Sequence, residues 1–281
     1  ATGQPVANAT VVIADSRSNA ATLTDAAGFY TRPMPQGVYT VTATLYGYMP
    51  GMASSVIVTV GDVTNQSIAL LPAPRYSVEG TVKDSLTGWP LMALIQIAGY
   101  PGEPVISDPM TGHYRVELAA GLPYVIRAQA YAPGYLAGEI ALGPLSGNTS
   151  QPLILTADPN QCEVTGYTWG SGGACIAPNH GGLVMGFVYD DNTQEPIFAL
   201  VENEDGYQTY TFARNVYMLF SPAGQKHFTA TSGAFRPAQV TVTAPEGGRV
   251  RQDFYLTSGK PVIDHPMLHA ALGPGQATTL P

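Results

Sequence analysis

Apolar and polar residues alternate with a period of two in short runs that glycine, proline, asparagine and aspartate interrupt. Runs such as Gly37-Val38-Tyr39-Thr40-Val41-Thr42-Ala43 and Tyr124-Val125-Ile126-Arg127-Ala128 place every second side chain on one face, which predicts half-buried strands. The cadence recurs. Thr24-Asp25-Ala26-Ala27-Gly28-Phe29-Tyr30 is answered by Ser107-Asp108-Pro109-Met110-Thr111-Gly112-His113-Tyr114, and more loosely by Thr211-Phe212-Ala213-Arg214-Asn215-Val216-Tyr217. Each reads as a tight turn feeding a strand.

Gly47-Tyr48, Gly134-Tyr135 and Gly233-Ala234-Phe235 follow the long strands, and each unit is predicted to close with a pair of strands. These pairs are 56–60 with 68–70, 139–142 with 153–155, and 240–243 with 254–256. Upstream, Gly80 to Asp84 with Thr87-Gly88-Trp89-Pro90-Leu91 corresponds to Gly186 to Asp190 with Thr193-Gln194-Glu195-Pro196-Ile197. Asp84 and Asp190 sit where a strand is expected to reverse into a hairpin partner, "ALIQIAG" or "FALVENE". The repeat is roughly 80 residues long, the size of a seven-strand sandwich. The predicted organisation is a sandwich at 1–73, a second at 74–158, a Cys-loop linker at 159–180, a third sandwich at 181–259 and a tail at 260–281. Pro72 and Pro74 suggest a stiff joint between the first two.

These motifs resemble the carboxypeptidase regulatory-like family, whose transthyretin-like sandwiches carry G-x-V-x-D-x-x-T-G-x-P-L, T-D-x-x-G-x-Y, G-x-Y-x-V-x-A and G-Y. The third unit departs from it, with Asn215 where Gly28 and Gly112 stand. The segment 162–190 resembles a Cys-loop-plus-sandwich module near the C-termini of secreted subtilisin-like proteases and bacterial surface proteins. The resemblance implies an all-β fold of three tandem transthyretin-like or Ig-like β-sandwiches with a disulfide loop before the third. It specifies a fold far better than a function.

Composition narrows the function. Charged residues are 11% of the chain, and the 12 Lys and Arg against 20 Asp and Glu form no basic run, which argues against a nucleic-acid partner. No apolar stretch approaches the roughly 18 residues of a membrane helix, and the N-terminus lacks the plan of a signal peptide. Cys162 and Cys175 bracket the Gly-rich "EVTGYTWGSGGA", so a disulfide is expected, with free thiols in a reducing compartment as the alternative. A disulfide fits an extracellular or cell-surface protein.

Peptidase signatures are absent from the sequence: His-x-x-Glu, His-Glu-x-x-His, Gly-x-Ser-x-Gly and the subtilisin-type motifs do not occur, nor does the terminal Tyr-Arg-Gly-Ser of transthyretin-like hydrolases. The expectation is no enzyme and no cofactor. Two weak metal candidates stand against plainer readings. Asp190, Asp191 and Glu195 offer oxygen ligands for calcium but also suit a hairpin turn, and His265 and His269 with Asp264 suit zinc but also a solvated tail. Asn8, Asn65 and Asn148 fit the glycosylation sequon. The recurring tyrosines, Tyr30, Tyr39, Tyr46, Tyr48, Tyr114, Tyr124, Tyr131 and Tyr135, are expected to be core or corner residues, with stacking on sugars or a partner as the alternative.

Units two and three open with a strand, "YSVEGTVKD" and "GGLVMGFVYD", whereas the first begins at the turn that follows such a strand. A sandwich without that strand exposes backbone groups and apolar side chains. Two expectations follow. Either the polypeptide continues upstream, or a neighbouring molecule donates a strand, with Val262, Ile263, Met267 and Leu268 of the tail as inter-subunit contact candidates. Head-to-tail docking of that tail would build a filament of copies, although Pro261 and Pro266 make it a poor strand. The expected function is therefore a non-catalytic extracellular structural or adhesive protein whose partners are its own copies or another extracellular protein. The alternative is an accessory region that spaces, anchors or helps bind for a secreted subtilisin-like protease.

Overall fold

The computed structural model describes residues 3–233 and 235–258. The chain divides into two compact units, Ala1–Ala177 and Pro178–Pro281. The first unit holds two β-domains and the Cys-loop, and the second holds one.

In the first domain, β1 (Thr10–Ala14), β2 (Asn19–Leu23) and β3 (Gly37–Thr44) are followed by β4 (Tyr48–Met49), β5 (Gly51–Val58) and β6 (Leu71–Pro72). They form one antiparallel sheet in the order β2-β1-β3-β5, with β4 and β6 as a separate two-residue ladder. The alternation read from sequence is realised here: Val11 and Ile13 of β1 and Tyr39, Val41 and Ala43 of β3 point to one face. They join Ala9, Val56 and Leu70 in a core that Tyr30, Met34, Tyr48 and Ile68 cover only in part.

The second domain has two sheets. Its strands are β7 (Arg75–Asp84), β8 (Ala93–Ala98), β9 (Val105–Ile106), β10 (His113–Ala119), β11 (Tyr124–Ala130), β12 (Gly138–Leu142), β13 (Thr149–Ser150) and β14 (Leu153–Leu155). One sheet, β12-β11-β8-β9, matches β5-β3-β1-β2 of the first domain. The other is built on β7, antiparallel to β10 along one edge and parallel to β13 and then β14 along the other. Val78, Val82, Ile95, Tyr114, Leu118 and Ile126 bury completely between the sheets.

At the end of the first unit the chain makes a small hairpin of β15 (Thr168–Trp169) and β16 (Cys175–Ile176). The third domain then repeats the second. It comprises β17 (Gly182–Asp190), β18 (Leu200–Asn203), β19 (Gln208–Tyr210), β20 (Val216–Ser221), β21 (Gly224–Thr231), β22 (Ala238–Ala244), β23 (Arg249–Arg251) and β24 (Phe254–Leu256). β17 pairs with β20, β23 and β24 as β7 does with β10, β13 and β14.

Two sequence expectations need correction. The closing strands do not pair with each other: β12 joins β11, whereas β14 lies parallel to β7 in the opposite sheet, and β22 and β24 divide in the same way. In the first domain β5 pairs with β3, and residues 68–70 belong to no strand. Asp84 and Asp190 likewise do not open hairpins, since the turn after each carries the chain across to the other sheet, leaving one bridge, Lys83 to Pro90 or Tyr189 to Pro196. Period-two patterning identifies a strand but not its neighbour, because sandwich connections cross between sheets.

The parallel switch depends on a glycine. Gly80 lies opposite Tyr114, and Gly186 opposite Tyr217. A Cβ on either would collide with the carbonyl of Gln151 or Gln252, the residue that crosses over the central strand. That carbonyl accepts from the tyrosine hydroxyl at 2.6 Å in both domains. The amides of Gln151 and Gln252 donate to Glu79 and Met185 oxygens at 2.7 and 2.9 Å. In the first domain the same tether appears, Tyr30 Oη donating to Gln66 O at 2.7 Å.

A second clip also recurs three times. The hydroxyls of Thr24, Ser107 and Thr211 accept from the amides of Ala9, Ala93 and Ala199 and donate to the carbonyls of Val6, Leu91 and Ile197. Each joins the entry of a central strand to its neighbour with both hydroxyl functions used, which a buried hydroxyl requires.

Gly80→Ala and Gly186→Ala are expected to destabilise their own domain by about 2 kcal/mol or more through overpacking against backbone, read as a lowered transition in chemical denaturation. Alkaline pH should act through Tyr114 and Tyr124, whose hydroxyls are pushed up to about 12, mainly by burial. The unfolded chain ionises these groups near 10, so their contribution is complete below about pH 10 and is lost as pH rises toward about 12. Thermal unfolding across that range checks it, and Tyr114→Phe should flatten the fall.

Candidate functional site

The most concentrated polar chemistry among the described residues is at Asp84, which is only 2% exposed. Its carboxylate accepts from the hydroxyl of Tyr135 at 2.6 Å and from that of Tyr167 at 2.7 and 2.8 Å. The amides of Leu86 and Thr87 also donate to it, at 2.7 and 2.8 Å. Burial and the adjacent carboxylate both push the hydroxyls of Tyr135 and Tyr167 far above the ordinary tyrosine value. Both tyrosines are therefore fixed donors. A carboxylate met by two hydroxyls and two amides is suited to anchor the segments that carry them.

Sequence alignment of the repeats already placed Asp84 at the strand end and Tyr135 in the Gly-Tyr pair. Tyr167 carried no signal, because it lies in the Cys-loop, outside the repeat. The loop is closed by the Cys162–Cys175 disulfide, with Cα atoms 5.2 Å apart. The loop is thus held by a covalent link at its base and by Tyr167 against the second domain. In the third domain Phe235 replaces Tyr135, and Asp190 is half-buried, its carboxylate accepting from the Asn192 amide at 2.9 Å.

The other sequence candidates are placed separately. Asp190, Asp191 and Glu195 share one turn, with the Asp190 amide donating to the Glu195 carbonyl and the Gln194 amide to that of Asp190. No group of three or more His, Cys, Asp or Glu side chains gathers to hold an ion among the described residues. Asn8, Asn65 and Asn148 are exposed, and the Asn148 side-chain oxygen accepts from the Ser77 amide at 3.0 Å. His265, His269, Val262, Ile263, Met267 and Leu268 lie outside the described residues. Among the described residues no helix is long and apolar enough to cross a membrane.

Exposed aromatic surface, which patterning could not locate, occurs on the third domain. Phe187, Tyr189 and Tyr255 stack in a row with ring centres 5.7 and 5.3 Å apart. Arg251 caps the row over Phe187 and is held by Asp253 at 2.8 Å. Phe198 and Tyr210 form a separate stacked pair, with rings 5.3 Å apart.

The first domain presents the remaining feature. Residues 29–35 and 62–70 belong to no strand or helix, correspond in sequence to β10 and to β13 with β14, and are held together by the Tyr30 to Gln66 tether. Neither run is paired into a ladder, and no described strand passes between them.

Removing the anchor should release the Cys-loop. Asp84→Ala leaves two buried hydroxyls and two amides unpaired and is expected to cost about 3 kcal/mol. Tyr167→Phe should cost about 1 kcal/mol and raise amide hydrogen exchange across residues 163–176. Reduction of the disulfide should add to that exchange by lifting a constraint worth about 3 kcal/mol for a loop of this size.

Residues 1–71 match the family model described as the carboxypeptidase regulatory-like domain. No curated protein matches the chain. Among solved structures, the Bacillus anthracis TIE protein is 13% identical with a TM-score of 0.28, over 91% of this chain and 48% of the other, so this chain spans about half its length. The minor pilin GBS52 of Streptococcus agalactiae is 10% identical, with a TM-score of 0.35 over 55% of this chain and 84% of the other. A streptococcal ancillary pilin is 11% identical, with a TM-score of 0.24 over 92% and 94%. Likeness at this level carries no argument about function. The family that the repeat motifs resemble is the one whose model the first 71 residues match.

Proposed function

We propose that this chain is a non-catalytic structural protein, an array of β-sandwiches that works outside the cell and joins another polypeptide through its first domain. The observation that carries the reading is the use of polar groups. The three hydroxyl clips, the three tyrosine tethers and the Asp84 anchor all engage backbone or one another. Each is committed to holding a strand or a loop in place. The disulfide supports an oxidising location, where such a bond persists. The unladdered edges of the first domain support a joining role, since edges of that kind are what strand addition uses.

Docking of the tail of one copy, through Val262, Ile263, Met267 and Leu268, is one form of that joining, and it would yield a head-to-tail filament. Electron microscopy of the chain beside a version truncated after Lys260 distinguishes it: filaments lost on truncation assign the tail. Location is tested independently. Immunogold labelling of intact, unpermeabilised cells is expected to decorate the surface or structures projecting from it. Labelling only after permeabilisation would overturn the extracellular reading, and co-purification with a peptidase activity would replace the structural role with that of an accessory region.

A further inference from the structure

The second and third domains share a topology but not an outer surface. In the third, Val188, Phe254 and Leu256 belong to the core, so Phe187, Tyr189 and Tyr255, which alternate with them along β17 and β24, point away from it. By alignment of the two domains on Gly80 with Gly186 and Gln151 with Gln252, the positions of Phe187, Tyr189, Arg251, Asp253 and Tyr255 are held by Thr81, Lys83, Ser150, Pro152 and Ile154. The second domain forms the same ladders with no aromatic ring and no Arg–Asp pair at these places, so the fold does not call for them. The hydroxyls differ as well. Tyr114 and Tyr217 donate to crossing carbonyls and Tyr135 and Tyr167 to Asp84, whereas the hydroxyls of Tyr189 and Tyr255 have no hydrogen-bond partner among the described residues.

The five side chains lie in one sheet of one compact unit. Successive ring planes turn by only 28° and 20°. Their centres, 5.7 and 5.3 Å apart, are farther apart than the roughly 3.5–4.0 Å of direct carbon contact, so the rings overlap in part and each leaves some of its face uncovered. Tyr255 is 48% exposed. At the Phe187 end, Asp253 is fixed from two sides: its Oδ2 accepts from Arg251 Nη2 at 2.8 Å and its Oδ1 from the Phe187 amide at 3.0 Å. The Arg251 side chain stays 53% exposed, and a guanidinium with five N–H groups keeps donors to spare beside that carboxylate. The pair carries no net charge. β17 is laddered to β20 on one edge and to β23 and β24 on the other, so its backbone offers no edge for strand addition. What this face offers a ligand is ring surface, two tyrosine hydroxyls and one neutral pair of donor and acceptor.

We propose that this face of the third domain is a binding site for a neutral, ribbon-like glycan, of the kind in which β-1,4 linkage keeps successive pyranose rings nearly coplanar. The C–H faces of successive sugars lie on Tyr189 and Tyr255, which supply flat apolar surface with a polar tip. Neighbouring hydroxyls of the chain donate to Asp253 and accept from Arg251, and a vicinal diol presents both functions at the spacing of one such pair. Three features of the site select this ligand. The near-parallel rings in a row suit a chain whose sugar faces do not turn sharply, the length of the row exceeds one pyranose, and the charge-neutral pair gives no preference to sulfated or acidic chains. The site adds a ligand to the structural array and stands independently of how the first domain joins another polypeptide.

Isothermal titration calorimetry on the full chain tests it with cellotetraose, N-acetylchitotetraose and β-1,4-mannotetraose. Glucose, the helically coiling maltotetraose, a sulfated tetrasaccharide and a proline-rich decapeptide serve as comparisons. At least one of the three neutral ribbon glycans is expected to bind saturably, with its monosaccharide weaker by about tenfold or more. Tyr189→Ala and Tyr255→Ala should each weaken that binding by about tenfold, and Arg251→Ala should weaken it measurably. Tyr210→Ala, in the separate aromatic pair, should leave it unchanged. Chemical denaturation of each variant separates loss of stacking from loss of fold, and Tyr255→Ala decides the matter if Tyr189→Ala proves unstable, since Tyr255 is the more exposed. Failure of all three glycans to bind, or binding indifferent to Tyr255→Ala, would overturn the proposal. So would tighter binding of the sulfated chain, of maltotetraose or of the proline-rich peptide. The structural reading of the chain stands under each of these results, because it depends on immunogold location and assembly and not on this face.

Discussion

Three groups share one small space at the centre of each complete domain: a tyrosine ring, the carbonyl of a crossing glutamine, and the backbone of the central strand. Only a residue without a side chain fits beneath the crossing carbonyl, so Gly80 and Gly186 fix where the chain may switch from β13 to β14 or from β23 to β24. The tyrosine hydroxyl then ties the crossing to the facing strand. Register follows from this contact. A slip by one residue would place a side chain under the carbonyl and turn Val78 and Val82 out of the core, two penalties that act together.

The same economy of polar groups explains how a chain with so few charges holds its loops. The entries of β1, β8 and β18 are secured by hydroxyls that both donate and accept, and one carboxylate organises the region where the second domain meets the Cys-loop. Asp84 is tolerable in that interior because two hydroxyls and two amides meet it, the condition under which a buried charge costs least. Where the third domain lacks the tyrosine, its aspartate is more exposed, as the same reasoning requires.

Much of this was legible in the sequence because the repeat reveals itself three times. The turns at Gly28 and Gly112, both with φ near +70°, are marked by glycine. Even the departure at Asn215 is intelligible, since asparagine accepts the left-handed conformation, here with φ of 58°, and its amide binds the Pro196 carbonyl. Strand partners were not legible, because alternation is the same whichever sheet a strand joins; hence the mistaken pairing of 139–142 with 153–155. Tyr167 could not be found either. Its role depends on a loop folding back to reach Asp84, 83 residues earlier in the chain, and no local pattern encodes that contact. The aromatic row of Phe187, Tyr189 and Tyr255 needed the parallel register of β17 and β24 before its members became neighbours.

The parallel pairing of first and last strands also has a mechanical meaning. In the second domain the chain enters along β7 and leaves along β14, and in the third it enters along β17 and leaves along β24, in each case side by side and in the same direction. A force pulling the two ends of such a domain apart drives these strands past one another. The bonds between them, together with the Gln151 and Gln252 crossings, are loaded in shear and must yield together, whereas a hairpin pulled from its open end unzips one bond at a time. A domain threaded in this way resists tension along its own chain direction more than its modest core alone would provide.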